Sequence, residues 1–388
     1  MARYTFRELV IDSRTGLNPR KNFTLGNGNN YYITIKDIHD GKIVITDKTD
    51  KVDDAAIAII KKRSRIKNGD ILFTSIGRIG ETAIVTNKDD TWDVNESVFI
   101  FTVNTDLITQ EFFCTLFQSK NVQDQLTRDS SGSTFKSIKM NQLEKMSFDI
   151  PSLEEQKEIS NILKETNKLV AMRKEQLAKL DQLVKSRFIE LFGDVANSPK
   201  YSGVPLGAIC STLSGGTPTT KIPEYYQGDI PWISTPYLGN NHISGSSAKA
   251  YITEDAIKNS ATHLIPANTI MFGIRVGVGK SSIIDEPMCA NQDIVALMGI
   301  DTNKYNLLFV KHVLDAYQSH FDSIKKGATI LGITTEDLKK VCVPTVDIEK
   351  QNQFADFVEQ TDKSKFDLKQ SLEKLEMLKK SLMQQYFG

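Results

Sequence analysis

The chain has 388 residues, which is enough for two domains of ordinary size, each able to bury a core of its own. Basic and acidic residues each number 48, and this zero net charge argues against a nucleic-acid binder that acts alone. The four cysteines have no CxxC spacing, which is typical of reduced thiols in a cytosolic protein. No apolar run approaches 18 residues, so we expect no membrane span, no signal peptide and a cytoplasmic location.

The first 150 residues predict a mixed α/β domain with many short strands. Runs rich in β-branched and aromatic residues, bounded by Asn, Gly and Asp, predict strands at 31–38, 42–45, 70–75, 82–86 and 97–103. A helix is predicted over 110–126, because Phe112, Phe113, Leu116, Phe117 and Val122 fall on one broad face.

A single long helix is predicted over 154–192, within a segment bounded as 151–193. Ser152 is a candidate N-cap, and Glu154 and Glu155 suit the positive end of the helix dipole. Apolar residues recur mostly every three or four positions, with a break near 173–176. Gly193 is a candidate C-terminal stop.

A second mixed domain, 194–345, follows a polar linker at 194–202. Strands are predicted at 230–235, 269–272 and 281–284, and a helix at 305–321. The final segment, 346–388, predicts a second long helix over about 349–387. Two helices on the surfaces of their own domains are one interpretation of these stripes, and an antiparallel coiled coil between them is the favoured one.

The two halves of the chain repeat one another. Residues 132–193 align without a gap with 327–388, and 18 of the 62 pairs are identical. Upstream the match is weaker: 32–38 corresponds to 232–238, and Asn95 to Asn291. The helices agree while the globular parts diverge, which predicts shared partners and different targets.

No catalytic motif is recognisable. The segment Gly277-Val-Gly-Lys-Ser281 lacks the earlier glycine of a phosphate-binding loop, since Ile274 stands there, so a glycine-rich hairpin turn is favoured. The five histidines form no HxxxH or HExxH arrangement, so we expect no metal site. A site present in one half only stays open, so these absences weaken an enzyme interpretation without disproving it.

Several polar loops carry side chains that could contact DNA. Loops 15–21 and 215–221 each contain a proline turn and end in a base, and residues 61–67 carry five bases, although a solvated face explains this cluster equally well. Further candidates lie in the glycine turns and after each domain's main helix. The predicted DNA-contacting residues are Asn18, Arg20, Lys21, Arg63, Arg65, Ser75, Arg78, Thr134, Lys136, Thr217, Thr219, Lys221, Arg275, Lys280 and Thr329.

The whole pattern resembles the specificity subunit of type I restriction–modification systems. The order of variable domain, long helix, variable domain and long helix is the most specific element. Local strings agree as well: Gly215-Gly-Thr-Pro218, Asp229-Ile-Pro-Trp-Ile233, Gly69-Asp-Ile-Leu-Phe73, Asp149-Ile-Pro-Ser-Leu-Glu-Glu-Gln156 and the Phe-Gly pairs that end both helices. Loop 16–21 departs from Gly-Gly-Thr-Pro.

This resemblance implies an α/β fold with two target-recognition domains joined by two long antiparallel coiled-coil helices and related by an internal pseudo-two-fold repeat. Each domain would read one half of a split site in double-stranded DNA. The helices would set the spacing and dock two modification (methyltransferase) subunits, and a restriction motor subunit could join. The chain itself would hold no cofactor and be non-catalytic, with S-adenosylmethionine bound in the partners. The predicted partner contacts are lysines at exposed-type positions that match across the repeat: Lys179, Lys185, Lys374 and Lys380.

Two alternatives stay open. One is a standalone enzyme, such as a methyltransferase or nuclease, which would modify DNA without partners. The other is a coiled-coil scaffold that binds proteins only and shows no DNA sequence preference.

Overall fold

The structure is a computed structural model that describes residues 1–388 except 20, 21, 40, 131–135, 249, 328 and 329. Packing divides the chain into two compact units, one formed by Met1–Lys174 with Gln370–Gly388 and the other by Glu175–Lys369. Both borders fall within the long helices, so each unit contains one mixed α/β domain and part of each helix. The division of the chain at 150, 193 and 345 remains a prediction.

The first domain is built on an antiparallel four-stranded sheet and a smaller mixed sheet. The four strands in spatial order are Val10–Thr15, Val98–Val103, Ile71–Thr74 and Thr82–Ile84. The smaller sheet contains Lys51–Val52, Asn30–Ile33 and Trp92–Val94, the last pair being parallel. Two-stranded pairs are formed by Ala2–Thr5 with Ser147–Ile150 and by Ile38–His39 with Lys42–Ile43.

A phenylalanine-rich core lies between the four-stranded sheet and the helices of the first domain. Phe73 and Phe101 on the sheet contact Phe117 and Phe113 on the facing helix. The helices are Phe6–Leu9, Asp54–Ser64, Gln110–Gln118, Lys120–Asp129 and Met140–Leu143, with a 3₁₀ turn at Ile35–Asp37.

The second domain repeats this architecture. Its five-stranded sheet contains Ser211–Ser214, Ile294–Met298, Thr269–Gly273, Ser281–Ile284 and His242–Ile243 in spatial order. Its three-stranded sheet contains Ala250–Ile252, Ile230–Ile233 and Cys289–Ala290. Two-stranded pairs are formed by Gly203–Pro205 with Cys342–Pro344 and by Gly193–Asp194 with Ser198–Pro199. The α-helices are Glu254–Lys258, Leu307–Ala316, Gln318–Ile324 and Thr335–Lys339, and 3₁₀ turns lie at Leu206–Ala208, Pro223–Tyr226, Thr235–Tyr237 and Gly245–Ser247.

Two predicted helices are each interrupted once, so the prediction of single helices at 110–126 and 305–321 was wrong. In the first domain Ser119 is extended, with ψ of 149°, and it ends one helix and begins the next. In the second domain the break is at Tyr317, whose hydroxyl donates to the carbonyl of Val195. Apolar periodicity continues across both breaks, because each pair of helices covers one core.

The long helices are Leu153–Phe192 and Ile348–Phe387. The first begins with a reciprocal cap, in which Glu155 accepts from the Ser152 backbone N–H and hydroxyl while its own N–H donates back to Ser152, so the predicted N-cap is confirmed. Both helices are anchored by the same residue type: the buried amides of Gln156 and Gln351 each bond three backbone groups of the chain that precedes the helix.

The helices pair antiparallel within each unit, as predicted. In the first unit Lys174 contacts Glu376 at 2.9 Å. Ile159, near the start of the first helix, and Phe387, at the end of the second, belong to one apolar cluster. In the second unit Asp181 contacts Lys365 at 2.8 Å, and Phe188 packs on Phe354 with ring centroids 5.3 Å apart. Residue numbers therefore rise along one helix as they fall along the other. None of the described helices has the length and apolar character needed to cross a membrane.

Candidate nucleic-acid interface

Four segments of the first domain come together at one end of its sheets, and we call them the first loop surface. They are residues 15–19, the hairpin turn 75–81, the interstrand segment 95–97 and the segment 136–138. The side-chain amide of Asn18 donates to Glu96. The hydroxyl of Ser75 donates to the carbonyl of Ser97, and Gly77 N–H donates to the carbonyl of Lys136 at 3.0 Å.

The second domain contains the same assembly, the second loop surface, made of residues 215–221, 274–280, 291–293, 326–327 and 330–333. Thr217 donates through its hydroxyl to Gln292, which corresponds to Glu96 in the repeat. Arg275 lies 4.0 Å from the carboxylate of Asp293. The N–H of Ile333 donates to the carbonyl of Ile274 at 2.8 Å, which joins the last segment to the hairpin.

One glycine in each surface allows the loop to approach the interstrand segment. A Cβ on Gly16 would lie 1.8 Å from the carbonyl oxygen of Val94, and one on Gly215 would lie 2.2 Å from that of Asn291. An aromatic side chain then holds each loop from beneath: Tyr32 donates to the carbonyl of Leu17, and Trp232 donates to that of Gly216. Glycine is therefore required by close approach at these two positions.

The hairpin turns are also equivalent, and the predicted glycine-rich turn is confirmed. Gly80 and Gly279 have φ of +87° and +93°, and a Cβ on either would collide with the amide of Gln123 or Gln318. Strands Thr269–Gly273 and Ser281–Ile284 flank the second turn as an antiparallel pair. Arg275 and Lys280, in and beside this turn, are both exposed.

The predicted DNA-contacting residues have unequal surroundings. Ser75 is buried and bonded to Ser97, so it holds two segments together. Asn18 is partly buried against Glu96. By contrast Lys136, Thr217, Thr219, Lys221, Arg275 and Lys280 are all exposed on the two loop surfaces. Their contact with DNA stays a prediction.

The basic cluster spans the end of helix Asp54–Ser64 and the residues directly after it, beside the first loop surface. Arg63 is exposed and donates to the hydroxyl of Thr15 at 3.2 Å, which connects this helix to the first loop. Arg65 ends the helix in the left-handed region with φ of 48° and lies 3.7 Å from Asp12. Arg20, Lys21, Thr134 and Thr329 lie outside the described residues.

Sequence reasoning missed the residues that tie each surface together. Glu96 and Gln292 occupy the interstrand segments, and each accepts from the neighbouring loop. Burial, followed by the negative charge of Glu96, raises the pKa of the Tyr32 hydroxyl, so this group remains a donor. The repeat itself was the available signal, since Asn95 and Asn291 mark both segments and each accepts from the backbone two residues later.

Within the described residues, no group of three or more His, Cys, Asp or Glu side chains is placed to hold a metal ion. Burial raises the pKa of Cys114 to about 12 and those of Cys210 and Cys289 to about 11, so these thiols stay protonated near neutral pH. Thiol nucleophiles are consequently disfavoured at these three positions.

The partner-contact candidates Lys179, Lys185, Lys374 and Lys380 are exposed on the long helices. Large apolar side chains are exposed along the same helices; they are Leu169, Met172, Leu183, Ile189, Phe366, Met377 and Leu378. In the second unit the helices also border a cleft of about 1420 Å³, whose lining includes Val184, Lys185, Phe366 and His312.

Repeated mixed α/β domains with paired 40-residue helices define an internally duplicated two-domain protein. The family model of the type I restriction modification DNA specificity domain matches residues 8–182 and 200–379, so the chain belongs to this family.

Relatives of the chain are specificity subunits. It is 30% identical over 199 residues to the type I restriction enzyme MjaIX specificity subunit of Methanocaldococcus jannaschii, covering 50% of this chain and 45% of that protein. It is 30% identical over 224 residues to the EcoR124I/EcoR124II specificity subunit of Escherichia coli, covering 54% and 52%. The matched part is thus about half the length of these two relatives. The putative MjaX specificity subunit of M. jannaschii is 25% identical over 371 residues, covering 91% and 85%.

Solved structures show the same fold. A chain from a study of the assembly and conformational transition of a type I R-M system has a TM-score of 0.63 at 18% identity, with 100% of this chain and 97% of that chain covered. The S subunit of a type I restriction-modification system from M. genitalium has a TM-score of 0.59 at 15% identity, with 98% and 94% covered.

Proposed function

We propose that this chain is the DNA-specificity subunit of a type I restriction–modification complex, and that each loop surface reads one half of a bipartite site. One observation carries the proposal: the same loop assembly is built twice, with equivalent glycines and aromatic supports but different exposed side chains. A repeated frame with altered polar groups is what two readers of different sequences require, because groove edges are distinguished by donor and acceptor pattern.

The chemistry of the exposed groups suits this role. Lys136, Lys221 and Lys280 can neutralise phosphates, and Arg275 can donate two hydrogen bonds to guanine O6 and N7. Thr217 and Thr219 can donate or accept at either groove. Because the chain has no net charge, the affinity for DNA would depend partly on phosphate contacts from its partners.

The long helices supply the second part of the proposal, which is the recruitment of two modification subunits. Antiparallel helices bury only part of their circumference against each other, and the exposed apolar side chains and lysines above remain for another protein. The modification subunits would bind S-adenosylmethionine and perform the methyl transfer, so the chain would be non-catalytic and hold no cofactor. A restriction motor subunit would join the same cytoplasmic assembly.

Mapping methylation tests this function directly. The chain is expressed with its modification subunits in cells that lack other adenine methylation, and the modified DNA is sequenced. A split recognition site is expected. Exchange of residues 1–150 for the corresponding domain of another specificity subunit should change one half of that site and leave the other unaltered.

The alternatives give different results in the same experiment. Methylation or cleavage by the purified chain alone, with labelled methyl donor and DNA, would support a standalone enzyme. A complex that assembles but has no sequence preference would support a protein scaffold. A change in both halves after the exchange of one domain would contradict the assignment of one half-site to each surface.

A further inference from the structure

The second loop surface exposes apolar side chains beside its cations. Ile330 and Leu331 are 54% and 56% exposed, and Val276, next to Arg275 in the hairpin turn, is 50% exposed. Single exposed aliphatic side chains are common on protein surfaces, but a group of them beside cations at a loop surface can mark a ligand-binding site. This is the feature of the second surface that polar readout leaves unexplained.

The segment that carries Ile330 and Leu331 is held in place at its base. Lys326 and Gly332 exchange two backbone hydrogen bonds, of 2.9 and 3.0 Å, and the next residue, Ile333, donates to the hairpin carbonyl of Ile274. A Cβ on Gly332 would lie only 3.0 Å from Cγ of Arg275. The two apolar side chains are therefore presented from an anchored loop next to the hairpin.

Arg275 and Ile330 share one small cavity of about 350 Å³, whose lining also includes Lys326, Thr334 and Asp337. The carboxylate of Asp337 is occupied by the N-cap of the following helix, since it accepts from the Thr334 hydroxyl and N–H. Two cations, each with an exposed or partly exposed head group, thus border an apolar wall. A nucleic acid, which has apolar groups next to phosphate and base acceptors, fits this arrangement better than an apolar protein surface, because the two cations need acceptors.

The corresponding positions of the first domain have other chemistry. In the sequence alignment of the two halves, Phe135 and Lys136 correspond to Ile330 and Leu331. One bond to the hairpin is equivalent in the two domains: Ile138 N–H donates to the carbonyl of Ser75 at 2.9 Å, as Ile333 N–H does to that of Ile274. The frame is shared and the two side chains differ, which is expected of positions that select the sequence.

We propose that Ile330 and Leu331 contact the 5-methyl groups of thymines in the major groove, next to the base pair that Arg275 contacts. This inference rests on the proposed function. The thymine methyl group is the apolar feature that the major groove presents beside the acceptors of guanine and adenine, and aliphatic side chains are suited to it. The second half-site should therefore contain at least one thymine whose methyl group is needed for tight binding.

Replacing thymine by uracil removes this methyl group and keeps the base pair. The complex of the full chain with its modification subunits is titrated with duplexes in which the thymines of either half-site are replaced by deoxyuridine. We expect about fourfold weaker binding for each contacted methyl group in the second half-site, which corresponds to about 0.8 kcal/mol per buried methylene-sized group. Indifference of the wild-type complex to uracil in that half-site, or a half-site without thymine, would overturn the inference.

A double variant identifies the side chains. Ile330→Ser with Leu331→Ser should bind thymine DNA as weakly as the wild type binds uracil DNA, and uracil should then have no further effect. Leu264→Ser, which replaces another exposed side chain of this unit, should keep the full response to uracil. A response retained by the double variant would contradict the assignment. Failure of the proposed function is distinguishable, since the complex would then show no sequence-specific methylation at all.

Discussion

Arg78 and Arg275 occupy equivalent hairpin turns but have different surroundings. Arg78 contacts His39 at 2.8 Å, the carbonyls of Ile35 and Ile38, and the carboxylate of Glu81 at 2.9 Å. Among the residues that the structure describes, Arg275 lies 4.0 Å from the carboxylate of Asp293, and its side chain is about half exposed. The first arginine therefore holds local structure, while the second is held less closely by the residues that the structure describes.

We predict that Arg275→Ala weakens DNA binding by about 1–3 kcal/mol and relaxes the second half-site at one position. Arg78→Ala should instead lower the unfolding midpoint of the first unit, because its four contacts with backbone and side-chain groups are lost together. Binding is measured on the mapped site and its single-base variants, and stability by urea unfolding. Equal effects of both variants on DNA sequence preference would contradict this division of roles.

His312 lies at the cleft of the second unit, and its side chain is only 12% exposed. Burial lowers the pKa of His312 to about 4; Asp315 and Asp362 oppose that shift, and Lys311 and Lys365 add to it. Its Nε2 atom is buried and has no hydrogen-bond partner among the described residues. Between pH 6.5 and 4 the unfolded chain has a protonated imidazole at His312, whereas the folded chain keeps this imidazole neutral. The free energy of unfolding is therefore at its full value above pH 6.5 and decreases as the pH falls towards 4.

We predict that the second unit loses up to about 3 kcal/mol of stability between pH 7 and pH 4 through this group. Trp232 reports on this unit when Trp92 of the first unit is replaced by Phe, and urea unfolding is followed by its fluorescence. His312→Gln should flatten the dependence between pH 7 and 5, whereas His320→Gln, at an exposed position, should leave it unchanged. A slope that survives in His312→Gln would show that other groups carry it.

The sequence predicts the roles of some residues of the loop surfaces and not those of others. Glycine turns and exposed bases are visible in the sequence, because φ preference and charge are properties of single residues. The roles of Ser75 and Glu96 are not visible, because each depends on a partner about 20 to 80 residues away. The sequence therefore predicted which loops form the surface better than it predicted which of their side chains remain free.

Among the elements, the long helices were the most predictable and the short helices the least. Forty residues of recurring apolar positions specify one extended helix, and Ser152 marks its start. The breaks at Ser119 and Tyr317 interrupt helices without changing which face is apolar. They depend instead on tertiary bonds, such as Gln123 to the carbonyl of Phe117 and Tyr317 to that of Val195.

Both long helices can be lengthened by the same number of residues at equivalent positions of the repeat. Lys174 and Lys369 are equivalent at the offset of 195, and the borders between the two units follow them directly. Four residues added after each would lengthen both helices by about 6 Å and roughly one turn. The paired faces stay nearly in register, because four residues rotate the helix by little more than a full turn.

We predict that this double insertion increases the tolerated spacer between half-sites by one or two base pairs, since base pairs are about 3.4 Å apart. The bases read in each half should not change. Methylation mapping measures both properties, and a four-residue insertion after exposed Gly299 serves as the control. An unchanged spacer in an active complex would show that the helices do not set the distance.

At the scale of the whole molecule, the repeat predicts two docking platforms for modification subunits. Lys179 and Lys185 belong to the second unit, and their equivalents Lys374 and Lys380 belong to the first. Lys179 has an intrahelical ion pair with Glu175 at 2.7 Å, and both side chains are well exposed. Such a pair contributes little to stability, so its loss should not unfold the chain.

We predict that reversing one lysine pair to glutamate reduces the complex from two modification subunits to one, and that reversing both pairs prevents stable assembly. Repulsion and the loss of cationic contacts would act at the interface and leave the isolated chain folded. Native mass spectrometry gives the stoichiometry, and circular dichroism verifies the helix content. Lys48→Glu with Lys258→Glu, two exposed positions on the globular domains, keeps the same change in charge away from the helices. A wild-type complex that binds only one modification subunit would refute the two-platform hypothesis, whatever DNA sequence the chain reads.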